Sequence, residues 1–263
     1  MQIVKSCSWI FFLFMAILAQ SIDAKKKNPT ESNTPRLRAL SFSPFESSLK
    51  KFSTKRAKAI LSLLENTTLV DIQSAMQAGK FTSEELTLFF LSRIKHYDAD
   101  LRSYTELNSA CLEDARAADK RRADGKGLGV LDGIPINLKD NIGTVSPLHT
   151  TAGAEVLLNH SPANDAVVVA QLRAAGAVIL GKASLSELAG VVAANLPGFN
   201  AVSGMGKNPY GSQFPVWGSS SGSAISTTAF LTAVSVGTET SGSLIAPASV
   251  NGVVGMKPSL YRV

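Results

Sequence analysis

From about residue 68 onward, helix-length amphipathic stretches alternate with short apolar runs that stop at a glycine or a charge, an order few architectures accommodate. Thr68 is positioned to cap a helix over 69–76 that Gly79 stops. Thr82-Ser83-Glu84-Glu85 is a capping box for a second helix with Leu86, Phe89, Phe90 and Ile94 on one face. Strands are expected at 104–107, 131–139, 176–181, 233–238 and 252–256, and further helices near 110–123, 165–175 and 220–231. Strand–helix alternation of this kind predicts an α/β protein whose central sheet is mixed but mostly parallel and flanked by helices. The run Gly252-Val253-Val254-Gly255-Met256 reads as a buried core strand close to the end of the sequence.

The first residues have a different character. Lys5 precedes an uninterrupted apolar run over 9–19, shorter than the roughly 20 residues a spanning helix needs but suited to a signal peptide. Small residues at Ala19, Ser21 and Ala24 offer cleavage positions, so 1–24 is read as a signal peptide that leaves no stable membrane anchor. Such a leader implies the secretory pathway, with a secreted, extracellular or vacuolar destination, and makes Asn66-Thr67-Thr68 and Asn159-His160-Ser161 glycosylation acceptors. Residues 25–57 are read as a solvated basic linker, with Leu37, Leu40 and Phe42 as candidates for local docking, and 58–263 as the globular part.

Charge decides against one class of partner. The net charge is +6, but residues 25–57 carry nine basic against two acidic side chains, which leaves the remainder near neutrality. A nucleic-acid surface needs its basic groups clustered on the folded body with stacking aromatics, and neither is present. Of the two cysteines, Cys7 lies in the leader, so a processed chain keeps Cys111 alone and has no intramolecular disulfide. No His or Cys pair has metal-ligand spacing, and no P-loop or G-x-G-x-x-G run occurs, so neither a metal nor a nucleotide cofactor is expected.

The chemistry concentrates in two Gly/Ser-dense stretches, Trp217-Gly218-Ser219-Ser220-Ser221-Gly222-Ser223 and Gly237-Thr238-Glu239-Thr240-Ser241-Gly242-Ser243. Each is flanked by apolar, structure-forming sequence rather than by more linker. A nucleophilic serine needs a base. His96 falls on the polar side of a helix and His160 inside a candidate acceptor triplet, which leaves His149 as the one histidine in a suitable loop. No G-x-S-x-G elbow is present, which argues against an α/β-hydrolase triad. A lysine base remains, and Lys139, at the charged end of an apolar strand, is better placed than Lys182 or Lys257.

These residues resemble the amidase signature family of serine hydrolases. Four ordered blocks carry the resemblance, 131–142, 174–182 and the two Gly/Ser stretches, together with the closing Val254-Gly255-Met256-Lys257-Pro258-Ser259. The Trp-Gly-Ser-Ser-Ser-Gly-Ser form looks most like plant members. The resemblance implies the amidase-signature fold and a Ser–cis-Ser–Lys triad. Ser243 would be the nucleophile, Ser219 the cis-serine bridge and Lys139 the base, with backbone amides of Thr240, Ser241, Gly242 and Ser243 as the oxyanion hole. Ser241 and Ser221 depart from the family's commoner residues but are small. A lysine works as a base when neutral, and burial can lower its pKa by about 3 units from about 10.4. The implied reaction is hydrolysis of a small-molecule carboxamide through an acyl-enzyme. A whole family domain is nearly twice this length, so 58–263 is expected to be its N-terminal part, with the C-terminal half absent. The alternative is a catalytically inactive, amidase-like protein that is unstable or binds without turnover.

Overall fold

The computed structural model describes residues 36–191 and 196–259. The signal peptide read at 1–24 and the first part of the basic segment lie outside the described residues. Four helices come first: α1 (Glu46–Lys51), α2 (Thr54–Leu64), α3 (Leu69–Gln77) and α4 (Ser83–Leu101). There follow β1 (Tyr104–Leu107), α5 (Cys111–Ala123), β2 (Pro135–Lys139), α6 (Val167–Ala174) and β3 (Val178–Ala183). A short hairpin of β4 (Phe199–Asn200) and β5 (Gly204–Met205) precedes α7 (Ser221–Thr228), β6 (Val234–Val236) and α8 (Ile245–Val250).

The sheet has the order β1-β3-β2-β6. β2 runs parallel to both β3 and β6, and β1 is antiparallel to β3, so the sheet is mixed and mostly parallel, as expected. Every residue of β2 and β3 is buried, which is what central parallel strands covered on both faces require. The registers Leu138↔Lys182 and Lys139↔Ala183 bring two lysines to the same end of adjacent strands. Because neighbouring residues along a strand point to opposite faces, the two side chains leave the sheet on opposite sides.

Local rules set the helices. Thr68 and Thr82 each accept a bond from the amide three residues on, and Asp71 and Glu85 return it, so both capping boxes are closed. α4 buries Leu86, Phe89, Phe90 and Ile94, each side chain contributing about 1.5–3 kcal/mol when fully buried. Phe89, Phe90 and Phe230 pack edge to face at centroid separations of 5.2 to 5.7 Å. Cys111 is free and buried.

Two expectations need correction. The solvated-linker reading of 25–57 fails across its described part. Residues 43–51 are helical, Phe45 is buried, and Arg36 pairs with the fully buried Asp98 at 2.8 Å. Ile60 and Leu64, one turn apart, dock α2 onto the core, while Arg56 grips both carboxylate oxygens of Glu85 at 2.7 and 2.6 Å. The apolar anchors are widely spaced among lysines and serines, so mean composition hides them. The core strand expected at 252–256 is also not formed: the segment pairs with no strand among the described residues, and Val254 and Met256 are exposed. A short apolar run satisfies a strand template whether or not a neighbour exists to pair with it.

Candidate active site

The site is built where the end of β2 meets the turn before α7. Asn137 and Lys139 share one face of β2, and the Asn137 amide donates to Ser226 Oγ on α7 at 2.9 Å, seating that helix over the face. Lys139 is completely buried. Its Nζ lies 2.6 Å from Ser219 Oγ, 2.9 Å from Thr238 Oγ1 and 3.2 Å from the Thr238 carbonyl oxygen.

The Gly218–Ser219 peptide bond is cis. The Ser219 carbonyl accepts from the Ser186 amide at 3.0 Å, and the Ser220 amide donates to the Ser243 carbonyl at 2.9 Å. The two Gly/Ser stretches are therefore tied directly to one another. Gly222 is demanded by contact: a Cβ there would stand 2.4 Å from the Ser184 nitrogen and 2.5 Å from the Ser103 oxygen, both backbone atoms that cannot swing aside. Gly242 is demanded by conformation, with φ at +81°, and a Cβ there would meet nothing within 4 Å.

Of the three proposed triad residues, the structure joins two through side chains. Lys139 and Ser219 are hydrogen-bonded, whereas Ser243 enters through its backbone, and among the described residues no hydrogen bond links its hydroxyl to Ser219. Burial pulls the Lys139 ammonium down to about 7, opposed by the nearby Glu239 carboxylate, which favours the charged form. Glu239 is held in place by the amides of Leu244 and Ile245 at 2.8 and 2.9 Å, which lower its own pKa. The Gly242 amide also favours the charged form of that carboxylate. Among the described residues no hydrogen-bond acceptor occupies the amides of Thr240, Ser241 and Ser243.

The rival groups are engaged elsewhere. Lys182 Nζ donates to the Ile142 carbonyl and the Thr144 and Thr150 hydroxyls. Lys257 is exposed and bonds the Pro258 carbonyl. His149 Nδ1 lies 2.7 Å from Glu106 Oε1, beside Arg38. Sequence reasoning did not single out Thr238, Asn141 or Glu239 as side chains of the site. Thr238 lies inside the second Gly/Ser stretch, and its position five residues before Ser243 was the available signal.

The sequence and the fold are similar to those of known proteins. The family model described as Amidase matches residues 85–263. A "probable amidase" of Arabidopsis thaliana is 46% identical over 200 residues, 75% of this chain and 39% of that protein. The native peptide amidase of Stenotrophomonas maltophilia superposes with a TM-score of 0.69 at 43% identity, covering 74% of this chain and 40% of its own. An amidase-family protein of Bacillus anthracis gives a TM-score of 0.73 at 36% identity, covering 80% and 42%. The chain belongs to the amidase family. It spans about two fifths of the length of these relatives.

Proposed function

We propose that this chain carries the reacting groups of a serine amidohydrolase that cleaves the C–N bond of a small-molecule carboxamide. The observation that supports the reading furthest is a fully buried lysine amine 2.6 Å from the hydroxyl of a cis-serine, with its pKa brought down to about 7. A lysine so placed is neutral in a useful fraction at neutral pH, as a general base must be. Neutral Lys139 takes the proton of Ser219 Oγ while Ser219 takes that of Ser243 Oγ. The Ser243 oxygen forms the bond to the amide carbon, and the carbonyl becomes an oxyanion near the free amides of Thr240, Ser241 and Ser243. Each such donor is worth about 3 kcal/mol in the transition state. Collapse breaks the C–N bond, the leaving amine takes a proton back through Ser219, and water hydrolyses the acyl-enzyme by the same relay. The similarity to a peptide amidase favours a carboxamide substrate.

The free Ser243 hydroxyl favours a second reading, a fold that presents these residues without turnover. One experiment separates the two: treatment with a serine-directed fluorophosphonate, followed by peptide mapping. Labelling at Ser243, lost in Ser243→Ala and Lys139→Ala and severely reduced in Ser219→Ala, supports the enzyme. A folded chain that stays unlabelled supports the second reading. We also infer that residues 1–24 route the chain into the secretory pathway and that Asn66 and Asn159, both exposed, accept glycans there. Expression in a secreting eukaryotic host should give a product starting after the leader and shifted in mass by glycosidase. An unprocessed, unshifted product would refute this routing.

A further inference from the structure

We infer that Thr238 is the positioning residue for Lys139: its hydroxyl and its carbonyl together take two directions of the amine and turn the third toward Ser219. This rests on the amidohydrolase reading above and deepens it.

A neutral lysine amine has two N–H donors and one lone pair; the ammonium has three donors and none. Three oxygens stand within hydrogen-bond distance of Lys139 Nζ, and two belong to Thr238, the carbonyl at 3.2 Å and Oγ1 at 2.9 Å. A carbonyl can only accept, so one N–H is committed to it in either protonation state. When Oγ1 accepts the second, the lone pair of the neutral amine faces Ser219 Oγ, 2.6 Å away. A proton then passes from Ser219 to Lys139 by breaking one O–H bond and forming one N–H bond, with no rotation of the lysine. The resulting ammonium finds all three of its donors already accepted.

Thr238 is itself fixed from two sides. Its backbone amide donates to Ser220 Oγ at 3.2 Å, and Ser220 Oγ donates to its carbonyl at 3.0 Å. Its hydroxyl is gripped by the carboxamide of Asn141, whose Nδ2 lies 3.0 Å and Oδ1 3.4 Å from Oγ1. The neighbour of the cis-serine thus holds the backbone of Thr238, and the residue two beyond Lys139 holds its side chain. The charge that acts on Lys139 is the Glu239 carboxylate on the same loop. Asp140 and Lys182 pair on the other face of the sheet.

The test uses the full chain with Thr238→Val, which keeps the shape and removes the hydroxyl, and Thr238→Ser, which restores it. Two readouts are taken against pH: the rate of fluorophosphonate labelling at Ser243, and the Cε resonance of Lys139 in protein made with labelled lysine, identified by its loss in Lys139→Met. An acceptor favours the ammonium more than the neutral amine, so its loss lowers the Lys139 midpoint by about one pH unit, the worth of one hydrogen bond to a charged group. Labelling slows about tenfold at the plateau as the amine loses its orientation. Thr238→Ser should return both to wild-type values. A purely structural role would lower the labelling amplitude and leave the midpoint in place, and an unmoved midpoint overturns the inference. If the wild-type chain is not labelled yet the midpoint falls, the amidohydrolase reading fails and the role of Thr238 stands. Thr238→Ala, which removes the hydroxyl without setting a methyl against Asn141, repeats the measurement if the valine variant does not fold.

Discussion

Lys139 and Lys182 are both fully buried, sit at the same end of adjacent parallel strands, and leave the sheet on opposite faces. Their surroundings differ in kind. Lys182 donates to a backbone carbonyl at 2.5 Å and to two threonine hydroxyls at 3.0 Å, with the Asp140 carboxylate 3.8 Å away. Asp140 accepts in turn from the amide and hydroxyl of Thr151 and is as buried as its partner. Among the described residues Lys139 has no carboxylate in hydrogen-bond reach, and one of its oxygen partners is a serine hydroxyl able to give up a proton. Burial lowers both pKa values, to about 7 for Lys139 and about 8 for Lys182, where Asp140 pulls back toward the charged form. Desolvation by itself does not make a base. A lysine enclosed by acceptors and a carboxylate is a clamp on the loop it binds, while one facing a proton donor can exchange with it.

The comparison breaks first on acylation. Lys139→Ala should slow fluorophosphonate labelling of Ser243 by about 10²–10⁴-fold, the usual contribution of a general base. Lys182→Met should leave the pH midpoint of labelling where it is, in whatever fraction of the protein folds. Were labelling to survive the loss of Lys139 and to lose its pH midpoint in the Lys182 variant, the two roles would be reversed.

Stability sharpens the same contrast. Lys182→Met strands a buried carboxylate and should cost about 3–5 kcal/mol in urea unfolding, and Asp140→Asn in the same chain should recover much of it. Lys139→Met strands no carboxylate and should cost far less. A Lys182 variant as stable as wild type would mean that the Asp140 pair carries no structural weight.

Much of this arrangement was legible in the sequence, for physical reasons that differ by residue. The capping residues Thr68 and Thr82 were readable because a cap is a local hydrogen bond between residues three apart. The end of β2 was readable because a fully buried strand must be an apolar run, and a charge closing it is conspicuous. Ser219 and Ser243 stood out through their flanking glycines. Thr238, although five residues before Ser243, did not, because its role consists of two contacts with a strand about a hundred residues earlier. The Asp140–Lys182 pair was hidden for the same reason: each reads as an ordinary strand-end charge until the register of β2 and β3 is known. Arg36, which reaches the buried Asp98, looked like one more basic residue in a solvated segment.

Linkage gives a further, smaller separation. The unfolded chain holds the lysine proton up to about pH 10.4, whereas folded Lys139 has released it above about 7. Above pH 7 the unfolded state therefore binds more protons, and stability attributable to this residue rises by about 1.4 kcal/mol per pH unit until the unfolded chain also titrates. Lys182 adds its slope from about pH 8. Just above pH 7 the larger share of the rise belongs to Lys139, so unfolding of Lys139→Met in urea should be flatter than wild type there. Equal slopes would place the Lys139 pKa elsewhere.

The smallest expected effect concerns Glu239, which stands to Lys139 as Asp140 does to Lys182, but at longer range and in better contact with water. Its carboxylate favours the Lys139 ammonium, and it also orders the turn by accepting the amides of Leu244 and Ile245. Glu239→Gln keeps an acceptor for those amides and removes the charge. The midpoint of labelling should then move down by a few tenths of a pH unit, as a screened charge at the surface allows, with the plateau rate little changed. A downward shift as large as that expected from Thr238→Val would show that charge rather than the geometry of Thr238 governs the amine. A loss of plateau rate without a shift would assign Glu239 to the shape of the loop that carries Ser243.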